Sequence, residues 1–212
     1  MRLKILCAAL ALPAVAAAVG VYFNGGLIAY RRLETRTECG PVALKRYRAL
    51  DDSYWVGAGV AVPVWRREAF VTPSLEFATD AGFNDTSEII EYYYYGSYEL
   101  AWYLISLREN LIFGVAAGPF KPFVGFGVGV AVVPWWVTYV ELSSELDRGV
   151  EVAPTLGIPF GCEWRAGKNF AVELGVEYLA ITGAINTEQA LEVSKVLMPD
   201  PFIFYAKGRF DM

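Results

Sequence analysis

Apolar residues that alternate with small or polar ones, in eight segments joined by connections that are long and short in turn, predict an all-β chain. The expected fold is an eight-stranded antiparallel up-and-down transmembrane β-barrel, preceded by a cleavable signal peptide. Three observations carry this: a charge-poor composition spread along the chain, the parity of the segments, and the order of the first residues. Of 212 residues, 55% are hydrophobic and only 19% charged, against about 25% charged in an average soluble domain. Only residues 122–140 stand out as a long charge-free run, so the surplus is not gathered into helical spans. Spread over alternate positions, it suits strands that face lipid.

The chain opens MRLKILCAALALPAVAAA, with Arg2 and Lys4, an apolar stretch Ile5 to Leu12, then Pro13 and alanines. Charged, apolar and small residues in that order read as a secretory signal over 1–18, leaving a barrel domain over 19–212. An uncleaved anchor is the alternative, but its apolar core is short for a span. Loss of the signal lowers the net charge from −5 to −7. An acidic chain without a basic tract is a poor nucleic-acid binder. The 19–212 part keeps Cys39 and Cys162, and the chain has no histidine. A zinc site is therefore not expected, nor any cofactor.

In order, the first segment is Val21 to Arg32, its faces blurred by Asn24-Gly25-Gly26. Ser53 to Trp65 sets Tyr54, Val56, Ala58, Val60, Val62 and Val64 against Trp55, Gly57, Gly59 and Ala61. Ala69 to Thr79 sets Val71, Leu75 and Phe77 against Thr72, Ser74 and Glu76. Tyr98 to Phe113 is apolar on both faces, which suggests a bulge near Glu109-Asn110. In KPFVGFGVGVAVV (121–133), apolar residues alternate with Gly125, Gly127 and Gly129. A phosphate loop needs G-x-G-x-x-G opening a helix, whereas here the spacing is G-x-G-x-G and valines, a proline and tryptophans follow. A membrane helix with a G-x-x-x-G pair is the other competitor; it leaves the remaining alternating segments unexplained. The stretch reads as a strand with valines towards lipid and glycines in a narrow lumen.

Val150 to Trp164, Phe170 to Ala180 and Phe202 to Phe210 complete the eight, each with an apolar parity opposite a small or charged one. Prolines at Pro63, Pro73, Pro154 and Pro159 fall inside strands and mark ends or bulges. Long connections are expected near 33–51, 81–96, 139–149 and 185–200, and short ones near 66–68, 114–121 and 165–169. Short periplasmic turns and longer outer loops have this asymmetry, and eight strands put both ends on the periplasmic side.

The inward parity collects Glu76, Arg108, Glu151, Glu163, Glu173, Glu177, Lys207 and Arg209 as a lumen charge network. Mutual pairing would rigidify the barrel; a cation-preferring path is the sharper alternative. The outward parity places Trp136 and Tyr178 towards the outer ends of their strands, and Trp164, Phe170 and Phe210 towards the inner ends, as two aromatic girdles. Tyr92 to Tyr95 lie in the second long connection, either as an adhesive patch or as a strand projecting beyond the membrane. Cys39 and Cys162 fall at opposite ends of the barrel, out of disulfide reach.

KPFVGFGVGVAVV, APTLGIPFGCEWRAGKNFAVELGVEYLAITG and the closing FIFYAKGRF together resemble the small outer-membrane β-barrel family of Gram-negative bacteria, of the OmpA, OmpX and OmpW type. The resemblance covers the C-terminal half well and the rest loosely. It implies location in the outer membrane, contact with its lipid, and a last strand whose terminal aromatic is read by the barrel-assembly machinery. Phe210 fills that place, although Asp211 and Met212 follow it. Enzymes known among such barrels rely on histidine, which this chain lacks. The expectation is a non-enzymatic, porin-like or surface barrel, with a structural or surface-interaction role or passage of small solutes through a narrow charged lumen. A soluble secreted lipocalin-like barrel holding an apolar ligand is the alternative, with the parities reversed.

Overall fold

The structure, a computed structural model, describes residues 19–30, 33–39, 42–48, 53–66, 72–92, 96–185, 193–198 and 200–212. The expected signal segment 1–18 lies outside the described residues. Eight strands close into a barrel: β1 (Gly20–Tyr30), β4 (Ser53–Arg66), β5 (Thr72–Tyr92), β6 (Gly96–Ala116), β7 (Phe120–Tyr139), β8 (Ser144–Arg165), β9 (Phe170–Ile181) and β12 (Pro201–Asp211). Each pairs antiparallel with its barrel neighbours, and β1 closes on β12 from Gly20↔Asp211 to Tyr30↔Pro201. One end of the barrel, the turn end, carries the short connections after Arg66, Ala116 and Arg165 together with Gly20 and Asp211. The other is the loop end.

Four further strands, β2 (Leu33–Cys39), β3 (Val42–Arg48), β10 (Ala184–Ile185) and β11 (Val193–Leu197), form a separate sheet in the order β10-β11-β2-β3. Two of the expected long connections thus meet as one sheet at the loop end. The other two are not long loops. β5 and β6 stay paired from Thr72↔Ala116 to Tyr92↔Gly96, and β7 and β8 stay paired up to Tyr139↔Ser144. The strands run on past the barrel wall, with Tyr92 as the last residue of β5; 93–95 are outside the described residues. On β8 alternation faded over 144–149, where neither face holds a buried residue and so neither needs apolar side chains; on β5 the inward positions past Thr79 are the polar Asp80, Asn84 and Thr86.

The expected bulge near Glu109-Asn110 is absent: the β5–β6 ladder passes through Thr79↔Glu109 and Ala78↔Asn110 without a shift. Register shifts fall instead at Pro63/Trp65 in β4 and at Val137/Thr138 in β7. β8 keeps both Pro154 and Pro159 within a continuous strand. The Pro159 ring lies over Gly125, where an added Cβ would come within 2.9 Å of it. That close approach is one reason the β7 stretch needs a glycine.

Parity is as expected. Val124, Phe126, Val128 and Val130 of β7 face outward and are 44–52% exposed. Phe160, Leu174 and Phe204 also face outward, on β8, β9 and β12, and are exposed. The apolar faces point away from the lumen, so the arrangement of a soluble barrel with an apolar interior pocket is not the one present.

Candidate functional site in the barrel lumen

The lumen is filled in layers. Nearest the turn end, Lys121 of β7 and Arg209 of β12 meet Glu76 of β5 and Glu163 of β8, all four buried. Lys121 Nζ donates to Glu76 and lies 3.8 Å from Glu163. Arg209 Nη1 lies 2.5 Å from Glu76 Oε2 and 3.4 Å from Glu163 Oε2, and its Nε donates to Asp211 at 2.7 Å. Arg165, at the rim, stands 3.9 Å from both Glu163 and Asp211. A vestibule of about 600 Å³ opens at this end and has these charged groups as its floor.

The next layer is centred on Arg108 of β6, which is 1% exposed. Its Nη2 donates to Asp80 at 3.1 Å and its Nη1 to Glu177. The Trp55 ring lies 5.8 Å from the guanidinium, a cation–π distance. Beside it, Lys207 Nζ is 3.0 Å from Glu173 Oε1, which also accepts from the Tyr205 hydroxyl at 3.0 Å. The same ammonium sits 4.2 Å from the Tyr22 ring centre. The large side chains fit because glycines face them: a Cβ on Gly82 would collide with Trp55, and one on Gly127 with Asn110.

Above these layers the lumen turns apolar. Ile28, Leu100, Val133, Val137, Leu179 and Ile203 are all 0% exposed and form a plug towards the loop end. Tyr30 donates to Asn84, and its ring meets Trp102 edge-on at 6.2 Å.

Seven of the eight residues expected in the network are therefore drawn into these two layers. Glu151 is not among them: it is half-buried on β8, opposite Val133 at the level of the plug, and makes no ion pair among the described residues. Asp80 and Lys121 were missed. Asp80 continues the Ser74, Glu76, Ala78 parity one step past the expected end of its strand, and Lys121 shares the parity of the β7 glycines but was assigned to a turn. Trp55 and Tyr205 have the inward parity expected of them, but neither they nor Tyr22 were counted in the network, because an inward aromatic does not look polar.

The girdle residues all face outward. Trp136 packs on Tyr103 at 5.0 Å and Tyr178 on Phe202 at 5.3 Å, towards the loop end. Phe170 packs on Phe210 at 4.9 Å, and Trp164 pairs with Phe120, at the turn end. Cys162 is a free thiol on the outer wall near the turn end, whereas Cys39 ends β2 in the loop-end sheet.

No protein-family model matches the chain, and no curated protein matches it in sequence. Solved structures do match. Neisserial surface protein A is 15% identical with a TM-score of 0.50, covering 91% of this chain and 97% of that one. The outer membrane protease OmpT of Escherichia coli is 6% identical with a TM-score of 0.56, covering 92% and 97%. The attachment invasion locus protein Ail of Yersinia pestis, solved with the heparin analogue sucrose octasulfate, is 10% identical with a TM-score of 0.42, covering 92% and 99%. The fold is the closed antiparallel barrel of outer-membrane proteins. Both a surface protein and a protease share it, so architecture and activity are separate questions.

Proposed function

We propose that this chain is a non-enzymatic barrel of the outer membrane, closed to solutes, that works at the surface through its loop-end sheets. The apolar outer wall between two aromatic rims supports the membrane position. The observation that carries the closed lumen is the plug: six apolar side chains at 0% exposure stand in line above a layer of ion pairs. Apolar side chains packed against one another leave little room for hydrated ions, which supports the closed reading.

The chain has no histidine, and the carboxylates of the charged layers are paired with Lys121, Arg108, Lys207 and Arg209. That supports a structural role for the charges. At the loop end, β5 beyond Asp85 and β8 from Ser144 to Val152 each have a strand neighbour on one side only, among the described residues. An unpaired edge is a template for an added strand, so a surface partner would dock there.

Single-channel recording in a planar bilayer tests the closed lumen. Wild type and Glu173→Gln should both show no open steps. Discrete steps in wild type, altered in Glu173→Gln, would restore the reading of a charged solute path.

A further inference from the structure

Deep in the lumen, Asn24 Oδ1 on β1, Asp80 Oδ1 on β5 and Asn110 Oδ1 on β6 are buried and have no hydrogen-bond partner among the described residues. Asp80 and Asn110 are only 6% and 4% exposed. All three residues line one internal cavity of about 10 Å³, walled further by Tyr22, Tyr205 and Lys207. Arg108 reaches only the other oxygen of Asp80, at 3.1 Å. Buried acceptors are as a rule met by a donor, because an unmet one keeps its full desolvation cost. These three cannot meet one another's need, since each of them accepts.

The cavity has the size of a single water, for which about 10–15 Å³ is the least that suffices. A buried water also needs two to four polar partners, and the lining supplies them from two sides of the barrel. Asn24 pairs with Lys207 across the β1–β12 ladder, whereas Asp80 and Asn110 stand on the paired strands β5 and β6. No ladder joins β1 or β12 to β5 or β6. Lys207 brings donors: its ammonium has three N–H groups, and Glu173 lies 3.0 Å from it. The positive groups also decide the kind of ligand. A metal ion here would stand beside the Lys207 ammonium and near the guanidinium that holds Asp80. Water accepts from the first and donates to the oxygens.

We propose that this cavity is a binding site for one water molecule, which donates to Asp80 Oδ1 and to one of the two amide oxygens and accepts from Lys207 Nζ. The bound water is a tie across the lumen, between walls that share no ladder, and it completes the layer around Arg108. Two glycines make room for it. A Cβ on Gly57 would meet Asn24 Oδ1, and one on Gly127 would meet Asn110 Oδ1, so either would push an amide into the space the water needs. The test is a crystal structure of the full chain in detergent, at a resolution that shows single waters. Wild type should show one peak in the cavity, about 2.6–3.2 Å from Asp80 Oδ1, an amide oxygen and Lys207 Nζ. The double variant Asn24→Leu with Asn110→Leu, which removes both amide oxygens, should lose the peak while Arg108 stays on Asp80. Wild type without a peak would overturn the proposal, as would a peak left unchanged in the double variant. So would a metal ion, seen as an anomalous signal in the cavity when rubidium replaces sodium in the crystal. Should the double variant fail to fold, the wild-type crystals with and without rubidium still decide the matter.

Discussion

The two halves of the lumen obey one parity and hold opposite chemistry. Towards the turn end, inward positions carry Glu76, Lys121, Glu163 and Arg209, then Arg108, Asp80 and Glu177, each charge answered by another. Towards the loop end, inward positions carry Leu100, Val133, Val137 and Leu179, and Glu151, opposite Val133, makes no ion pair among the described residues. The first half is held by ion pairs, whose net worth depends on every partner being present. The second is held by close packing, whose worth depends on volume. A barrel interior is thus not one environment, and a single rule of polar lumen and apolar wall describes only its lower part.

That contrast can be broken in graded steps. Arg108→Leu strands Asp80 and Glu177 together in a buried site. It should cost about 3–5 kcal/mol, read as a lower urea midpoint for unfolding from lipid vesicles. Adding Asp80→Asn and Glu177→Gln should return a large part of the loss, because the damage comes from unpaired charge rather than missing bulk. Leu100→Ala in the plug should cost about 3 kcal/mol through the cavity it leaves, and no change of neighbouring charge should recover it. If Arg108→Leu proved milder than Leu100→Ala, the lower layers would be a filled lumen rather than a stabilising network. At the far end of the scale, Arg148 pairs with Glu145 on exposed β8 at 3.6 Å. Arg148→Ala should move stability by less than about 0.5 kcal/mol, within the scatter of the same unfolding measurement.

Legibility in the sequence followed the same division. Where a strand separates hydrocarbon from charge, as in β8, β9 and β12, alternation was plain and both faces were assigned correctly. β6 was obscure for a physical reason. Leu100, Trp102 and Leu104 point into the plug while Ile105 and Leu107 point outward, so both faces are apolar and period two vanishes. The apparent change of face near Glu109-Asn110 was read as a bulge. It is instead an outward carboxylate beside an inward amide on a regular strand. The strand of 144–149, with neither face buried, looked like a loop, and so did 81–92, whose buried inward residues include the polar Asn84 and Thr86.

The sequence by itself determined the number of barrel strands, their parity and most of the charge-bearing positions, because the boundary between hydrocarbon and lumen repeats every second residue. Which charges pair was decided only by closure of the barrel. Arg108 meets Glu177 across 69 positions, and Arg209 meets Glu76 across 133, because these strands, distant along the chain, project inward at one height. The plug was likewise a tertiary outcome, since an inward apolar side chain is distinguished from an outward one only by what stands opposite it. Packing falls off within a few ångströms and charge attraction weakens with distance in space, so both depend on which residues are neighbours in space whatever their separation along the chain.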